Sequence, residues 1–358
     1  MKRWLAHHLV AWCVFLLVST PMIYYQLGNL VYTQAAATNF ECSGHSARNQ
    51  PNNFSVSLWD EGIAEGIDQK NETLAADVSS LWFTTWENET IPVQGEDIQL
   101  AAWVMESNTS RPWVILVHGI RSCKANHEVL IPAAWLYQAD FNVILFDMRD
   151  HGNSTVEDGL VSAGQREWRD VVAVWSWLQS EKQVSPHHIG LYGVSLGAGT
   201  AAIAFDQERD IQAVFLESSF ASMDSIISEE LAFGGFPAFL KDAAIFAGKV
   251  SSGDNLVKYE PLSASQHVGN RSMFITQSQE DYRIKLHHSQ SLCDVAQEHV
   301  EDSGMVECWF APSSIAHNDT GESGVLSHVT LMLTQPDVYK FHLVQFFETS
   351  LSRAGAVH

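Results

Sequence analysis

A chain of 358 residues, 46% hydrophobic and 11% aromatic, has material for one large core or two ordinary ones and is far from a disordered composition. Its formal net charge of −22 argues against nucleic acid and anionic lipid surfaces as partners. The five cysteines form no Cys-x-x-Cys pair and no zinc-type spacing with histidine, so neither a metal nor a cofactor is expected.

Met1-Lys2-Arg3 precede an uncharged stretch from Trp4 to Tyr25, long enough for the ~20 residues that a bilayer requires. Tyr24 and Tyr25 fall where an interfacial aromatic belt is expected. The nearest small-residue cleavage site, Ala35-Ala36-Ala37, lies well downstream. Residues 1–32 therefore read as an uncleaved signal anchor, a single transmembrane pass, with a cleaved signal peptide of a secreted protein, or a buried helix, as the alternatives. Lys2 and Arg3 place the N-terminus in the cytoplasm and the bulk of the chain outside it. Residues 33–78, rich in Asn, Ser, Gln, Ala and Gly, read as a juxtamembrane linker and extension, and residues 79–358 as the main domain. Sequons at Asn53, Asn71, Asn88 and Asn108 matter only in a glycosylating pathway. Cys13 falls in the apolar segment. Cys42, Cys123, Cys293 and Cys308 are either disulfides, Cys293 and Cys308 being the pair closest in sequence, or buried free thiols.

Within the main domain, Leu81–Trp86 and Ile98–Met105 read as paired antiparallel strands joined through Gly95-Glu96-Asp97. Trp113–Val117 and Asn142–Phe146 are continuous apolar runs of the fully buried strand type, with helical composition over Ala125–Ala139 between them. Gln165–Glu181 has amphipathic helical spacing. Strands then follow at Ile189–Tyr192, Ile211–Leu216, Ser272–Thr276 and Met305–Phe310, with helices at Ala198–Phe205, Gln290–Val300 and Val338–Leu351. This alternation predicts an α/β fold with a doubly wound, mostly parallel sheet. Residues 221–262 interrupt it with two apolar helical runs, Met223–Phe233 and Phe236–Val250, which read as a small helical lid over the strand ends.

The chemistry centres on Gly193-Val194-Ser195-Leu196-Gly197, a strand running into a sharp turn with a serine at its apex. A serine hydroxyl needs a base to take its proton and a third group to orient that base. The loop after Ser272–Thr276 offers Asp281, with Glu280 beside it as the lesser candidate and Glu217 as a remote one. The loop after Met305–Phe310 offers His317, giving the chain order serine, acid, histidine. The backbone N–H groups of Leu196 and Ile120, the latter in the His118-Gly119-Ile120-Arg121 loop, are the expected oxyanion donors. His118 and Arg121 border the site as candidate substrate contacts, although a turn histidine and a solvated arginine are the plainer readings.

These residues, with Val117-His118-Gly119, Asp147-Met148-Arg149-Asp150-His151-Gly152-Asn153-Ser154 and Ala316-His317, resemble the α/β-hydrolase superfamily across residues 80–352. The resemblance is to membrane-anchored or secreted hydrolases with a serine aminopeptidase-like domain. It departs from the family at Asp150, where glycine is usual, and in the acid loop, where Gln277-Ser278 and Lys285 replace a His-Gly before the acid and a Pro after it. It implies a serine hydrolase of esters or amides, forming an acyl-enzyme on Ser195, with a small-molecule ester, a lipid or a peptide as substrate. A peptidase, an acyltransferase and a non-catalytic membrane-anchored module are the competing expectations.

Overall fold

The computed structural model describes residues 2–38, 42, 48–59, 71–74, 77–317 and 324–354. The chain opens with a long helix, α1 (Lys2–Ala36), which from Ala11 to Ala36 is long and apolar enough to cross a membrane. A small antiparallel pair follows, β1 (Val56–Trp59) and β2 (Asn71–Leu74). Next come β3 (Glu87–Pro92), β4 (Gln99–Met105), β5 (Trp113–Val117), α2 (His127–Gln138), β6 (Asn142–Phe146), α3 (Trp168–Glu181), β7 (Ile189–Val194), α4 (Leu196–Gln207) and β8 (Ala213–Glu217). The insertion holds α5 (Met223–Phe233) and α6 (Lys241–Ser251), followed by the short α7 (Leu262–Gln266). The chain closes with β9 (Ser272–Ser278), α8 (Leu286–His299), β10 (Met305–Ala311), the hairpin β11 (Ile315–His317) and β12 (Gly324–Leu326), then α9 (Leu331–Thr334) and α10 (Pro336–Ala354).

Eight strands form one sheet in the order β10-β9-β8-β7-β5-β6-β4-β3, parallel except where β4 runs against β6 and β3. The central strands β5, β6, β7 and β8 are buried along their whole length, which is why their sequences are continuous rather than alternating apolar runs. One core packs α3 and α4 on one face of the sheet, and a second packs α2 and α10 on the other. This three-layer arrangement is the α/β-hydrolase fold. From β5 the chain passes to β6 on one side and then returns to β7 on the other. The strand order therefore reverses between β5 and β7, and the crevice beyond the carboxyl ends of those two strands is where such sheets bind ligands.

Two elements differ from expectation. The strand pairing with β4 is Glu87–Pro92, not Leu81–Trp86. The apolar residues of that earlier run pack as irregular chain instead: Phe83 is buried, and Trp82 Nε1 donates to the Phe54 carbonyl at 3.0 Å. The second helix of the insertion begins at Lys241, because Pro237 is extended and Ala238–Leu240 form a single 3-10 turn ahead of it. Disulfides join Cys42 to Cys123 and Cys293 to Cys308, tying the segment after α1 to the loop after β5 and α8 to β10.

Candidate active site

Ser195 sits between β7 and α4 with φ +55° and ψ −121°, a conformation that a residue with a side chain keeps only where its surroundings enforce it. The turn admits only small neighbours. A Cβ on Gly193 would lie 2.4 Å from the Gly197 carbonyl oxygen, and one on Gly197 would lie 2.2 Å from that of Val117. The Ser195 amide donates to the Glu217 carbonyl at 2.9 Å, which fixes the turn to the end of β8.

An imidazole lies between Ser195 and Asp281, and it belongs to His328. Its Nε2 is 2.9 Å from Ser195 Oγ and its Nδ1 is 2.8 Å from Asp281 Oδ2. The backbone N–H groups of Arg283 and Ile284 each donate to Asp281 Oδ1 at 3.0 Å, so the carboxylate is held from both sides. With Nδ1–H donating to the carboxylate, Nε2 is left to accept the serine proton. Glu280 is exposed, and its amide donates to Ser278 Oγ. Glu217 lies on the other side of the turn, where it accepts hydrogen bonds from Tyr192 Oη at 2.9 Å and from Tyr339 Oη. Burial pushes its carboxyl up to about 7 despite those donors.

The position expected for His317 is thus filled by His328. After β10 the chain does not go straight to the site. It first makes the β11–β12 hairpin, where His317 pairs with Gly324 at the end away from the Ile315–Leu326 pair. It returns at the turn Ser327–Val329. A hydroxyl cluster holds that turn: Ser313 Oγ lies 2.6 Å from Thr330 Oγ1 and 2.7 Å from Thr334 Oγ1, and Thr330 Oγ1 donates to the Ser327 carbonyl at 3.2 Å. The sequence carries a signal for this detour: Ile315-Ala316 and Val325-Leu326 flank Gly321 and Gly324 in a hairpin pattern.

The loop after β5 lies against the serine, since a Cβ on Gly119 would meet Ser195 Cβ at 3.4 Å. Ile120 and Leu196 both line a cavity of about 300 Å³ that also contains Ser195 and His328. Leu196 is the first residue of α4, so no carbonyl one turn earlier in the helix takes its N–H. His118 is no substrate contact. Its ring is fully buried, with Nδ1 2.8 Å from the Gly119 carbonyl and Nε2 accepting from the Met148 amide at 3.1 Å, and burial drives its pKa to about 3. Arg121 borders the cavity, but its guanidinium is spent on the end of α1: Nε donates to the Ala37 carbonyl at 3.0 Å and Nη2 to that of Ala35 at 3.1 Å.

Glu128, which the sequence reading passed over, lines the cavity near the start of α2. Burial raises its pKa, and the nearby His328 opposes that. Asp150 explains the departure from glycine: it adopts φ +61°, and its Oδ1 accepts the amides of Glu157, Asp158 and Gly159 at 2.7, 3.0 and 2.8 Å. Asp147 is a turn residue, taking the Lys124 and Asn153 amides at 2.7 and 2.9 Å and the Lys124 ammonium at 2.5 Å. Glu229, His287 and His288 gather between α5 and α8 with metal-like proximity. There His288 Nδ1 accepts from the Ala221 amide at 3.2 Å, which puts the ring proton on Nε2, 3.4 Å from Glu229. That proton occupies the lone pair a metal would need, and the cluster links α5 to α8 through Glu229, whose Oε1 lies 2.8 Å from His287 Nε2.

Residues 132–307 match the prolyl oligopeptidase family. A stretch of 139 residues, 38% of this chain, is 34% identical to an uncharacterized 31.7 kDa protein of the traX–finO intergenic region of Escherichia coli and spans about half (47%) of that protein's length. A stretch of 125 residues, 34% of this chain and 38% of the relative, is 30% identical to a thiohydrolase of Aspergillus aculeatus. Among solved structures, an esterase of Pyrococcus furiosus aligns with a TM-score of 0.57 at 20% identity, over 76% of this chain and 95% of the other. An acylaminoacyl peptidase of Pyrococcus horikoshii aligns with a TM-score of 0.52 at 18% identity, over 75% and 42%. The chain has the α/β-hydrolase fold, and its central part is similar to the prolyl oligopeptidase family.

Proposed function

We propose that this α/β hydrolase is a serine hydrolase that cleaves carboxylic esters through an acyl-enzyme on Ser195, with His328 as the base and Asp281 as the orienting acid. His328 Nε2 takes the hydroxyl proton as Ser195 Oγ bonds to the substrate carbonyl carbon. The Ile120 and Leu196 N–H groups receive the oxyanion, and Asp281 stabilises the imidazolium. His328 then passes the proton to the leaving alkoxide as the carbon–oxygen bond breaks. Water, deprotonated by the same nitrogen, attacks the acyl carbon, and the acyl–Oγ bond breaks with the proton returned to Ser195. Amides enter the same scheme with an amine as the leaving group, a reading favoured by the match to the prolyl oligopeptidase family.

In this reading residues 1–32 anchor the protein, 33–78 connect, and 79–358 form the catalytic domain outside the cytoplasm, with 221–262 as its lid. The observation that carries it is the hydrogen-bonded run from Asp281 through His328 to Ser195, at 2.8 and 2.9 Å, beyond the strands where the sheet order reverses. Ser195→Ala is expected to lower hydrolysis of a short-chain aryl ester by at least about 10³-fold and to abolish fluorophosphonate labelling. Full activity in that variant would overturn the mechanism.

A further inference from the structure

We infer that α1 is itself a wall of the acyl-binding pocket, and that the substrate is a long-chain acyl ester drawn from the bilayer that α1 crosses. This rests on the hydrolase reading and goes beyond it by naming the substrate class and its route. The cavity that holds Ser195 and His328 extends to Val31, Tyr32, Ala35 and Ala36 of α1. Ser195, His328 and Glu128 stand at the strand ends, and α1, α5 and α6 contribute mostly apolar side chains, among them Val31, Leu231 and Ala244; Glu230 of α5 also lines the cavity, paired with Arg283. A ligand with a polar ester and an apolar tail matches that segregation.

The contact of α1 with the insertion is built into the sequence. A Cβ on Gly28 would stand 2.1 Å from the Ala243 carbonyl oxygen, so the two helices touch where only glycine fits. Tyr32 Oη lies 2.8 Å from Ser252 Oγ, and Ser251 Oγ donates to Asn29 Oδ1 at 2.7 Å. The carbonyls at the end of α1 are taken by Arg121 and by the Val161 amide, the latter reaching Ala36 at 2.8 Å. A helix that served only as a tether would need none of these bonds.

The insertion also carries an apolar face continuous with the exposed surface of α1. Phe239, Phe246 and Val250 are 73%, 48% and 55% exposed, and the Phe246 ring meets Tyr25 edge-on at 6.4 Å. Tyr24 and Tyr25 close the most apolar part of α1, with the polar Gln26 and Asn29 following them, so these side chains stand at the level of the expected aromatic belt. With a net charge of −22, the contact with the bilayer is apolar rather than electrostatic. The lid therefore rests on the membrane surface, and an acyl chain enters the pocket alongside α1.

The test uses the full chain in phosphatidylcholine vesicles, comparing kcat/KM for a palmitoyl ester embedded in the bilayer with that for a soluble acetyl ester. Ala35→Trp, on the exposed rim of the α1 wall, is expected to lower the palmitoyl-to-acetyl ratio at least tenfold, with fluorophosphonate labelling retained as evidence of a folded site. Phe246→Asp combined with Val250→Asp is expected to lower the same ratio at least fivefold. An unchanged ratio in both, or a wild type that does not cleave the palmitoyl ester, would overturn the inference. Loss of acetyl ester hydrolysis in Ser195→Ala supports the hydrolase reading separately, and its persistence would sink that reading instead.

Discussion

At the scale of single residues, the decisive comparison is between two histidines eleven positions apart. His328 touches both Ser195 and Asp281, while His317 pairs through its backbone at the outer end of a hairpin. His328→Gln is expected to lower kcat at least about 10³-fold, because the serine loses its base and the carboxylate its partner. His317→Ala is expected to stay within about threefold of the wild type. Steady-state kinetics on one aryl ester decides the matter, and the reverse ranking would return the role to His317. Chain order and position past a strand are one-dimensional criteria that both histidines satisfy, and they favour the first one after β10, whereas the structure brings the second to the serine. For the acid the sequence leaves Asp281 with Glu280 beside it, and in the structure it is Asp281 whose Oδ1 takes the amides of Arg283 and Ile284 while its Oδ2 faces His328.

At the scale of elements, the end of α1 is where a sequence-defined anchor becomes part of the fold. The last carbonyls of a helix favour a cation, and Arg121 supplies one to Ala35 and Ala37 from the same loop that carries Ile120. Arg121→Ala is expected to cost about 1 kcal/mol of stability, roughly one to two degrees in Tm, and to speed hydrogen exchange of the amides between Tyr32 and Ala37. Exchange that stays at the wild-type rate would mean that the ion–carbonyl contacts do not hold α1 in place. Arg121 was a candidate for binding a substrate carboxylate, and composition could not separate that from capping. The choice depends on a helix end arriving beside it from 84 residues away in sequence.

For the molecule as a whole, buried titratable groups pull stability in opposite directions with pH. Glu217, raised from an ordinary value near 4.5 to about 7, favours folding in its neutral form. Its contribution is full below pH 4.5 and is lost as pH rises through 7, a change of about 3 kcal/mol. His118 and His127, lowered by burial to about 3 and about 4, do the reverse, and their contribution is lost as pH falls below about 6.5. Glu217→Gln isolates the first effect, because the histidines are the same in both proteins. The difference in Tm, wild type minus variant, is expected to fall between pH 5 and pH 8. A difference that stays flat across that range would show that Glu217 does not titrate there.

The sequence by itself determined the strands, because β5, β6, β7 and β8 are buried on both faces and so had to be continuous apolar runs. It also determined the serine turn, because the close approaches at Gly193 and Gly197 leave no choice of residue type. Leu81–Trp86 misled for the complementary reason: aromatic residues in an irregular segment bury as well as those in a strand, so composition does not separate the two. Only the tertiary structure decided which histidine meets the serine, what Arg121 binds, and that α1 borders the cavity. Each of these depends on a hairpin or a helix end arriving from far along the chain. Local periodicity records which face of an element is buried, not what lies against it.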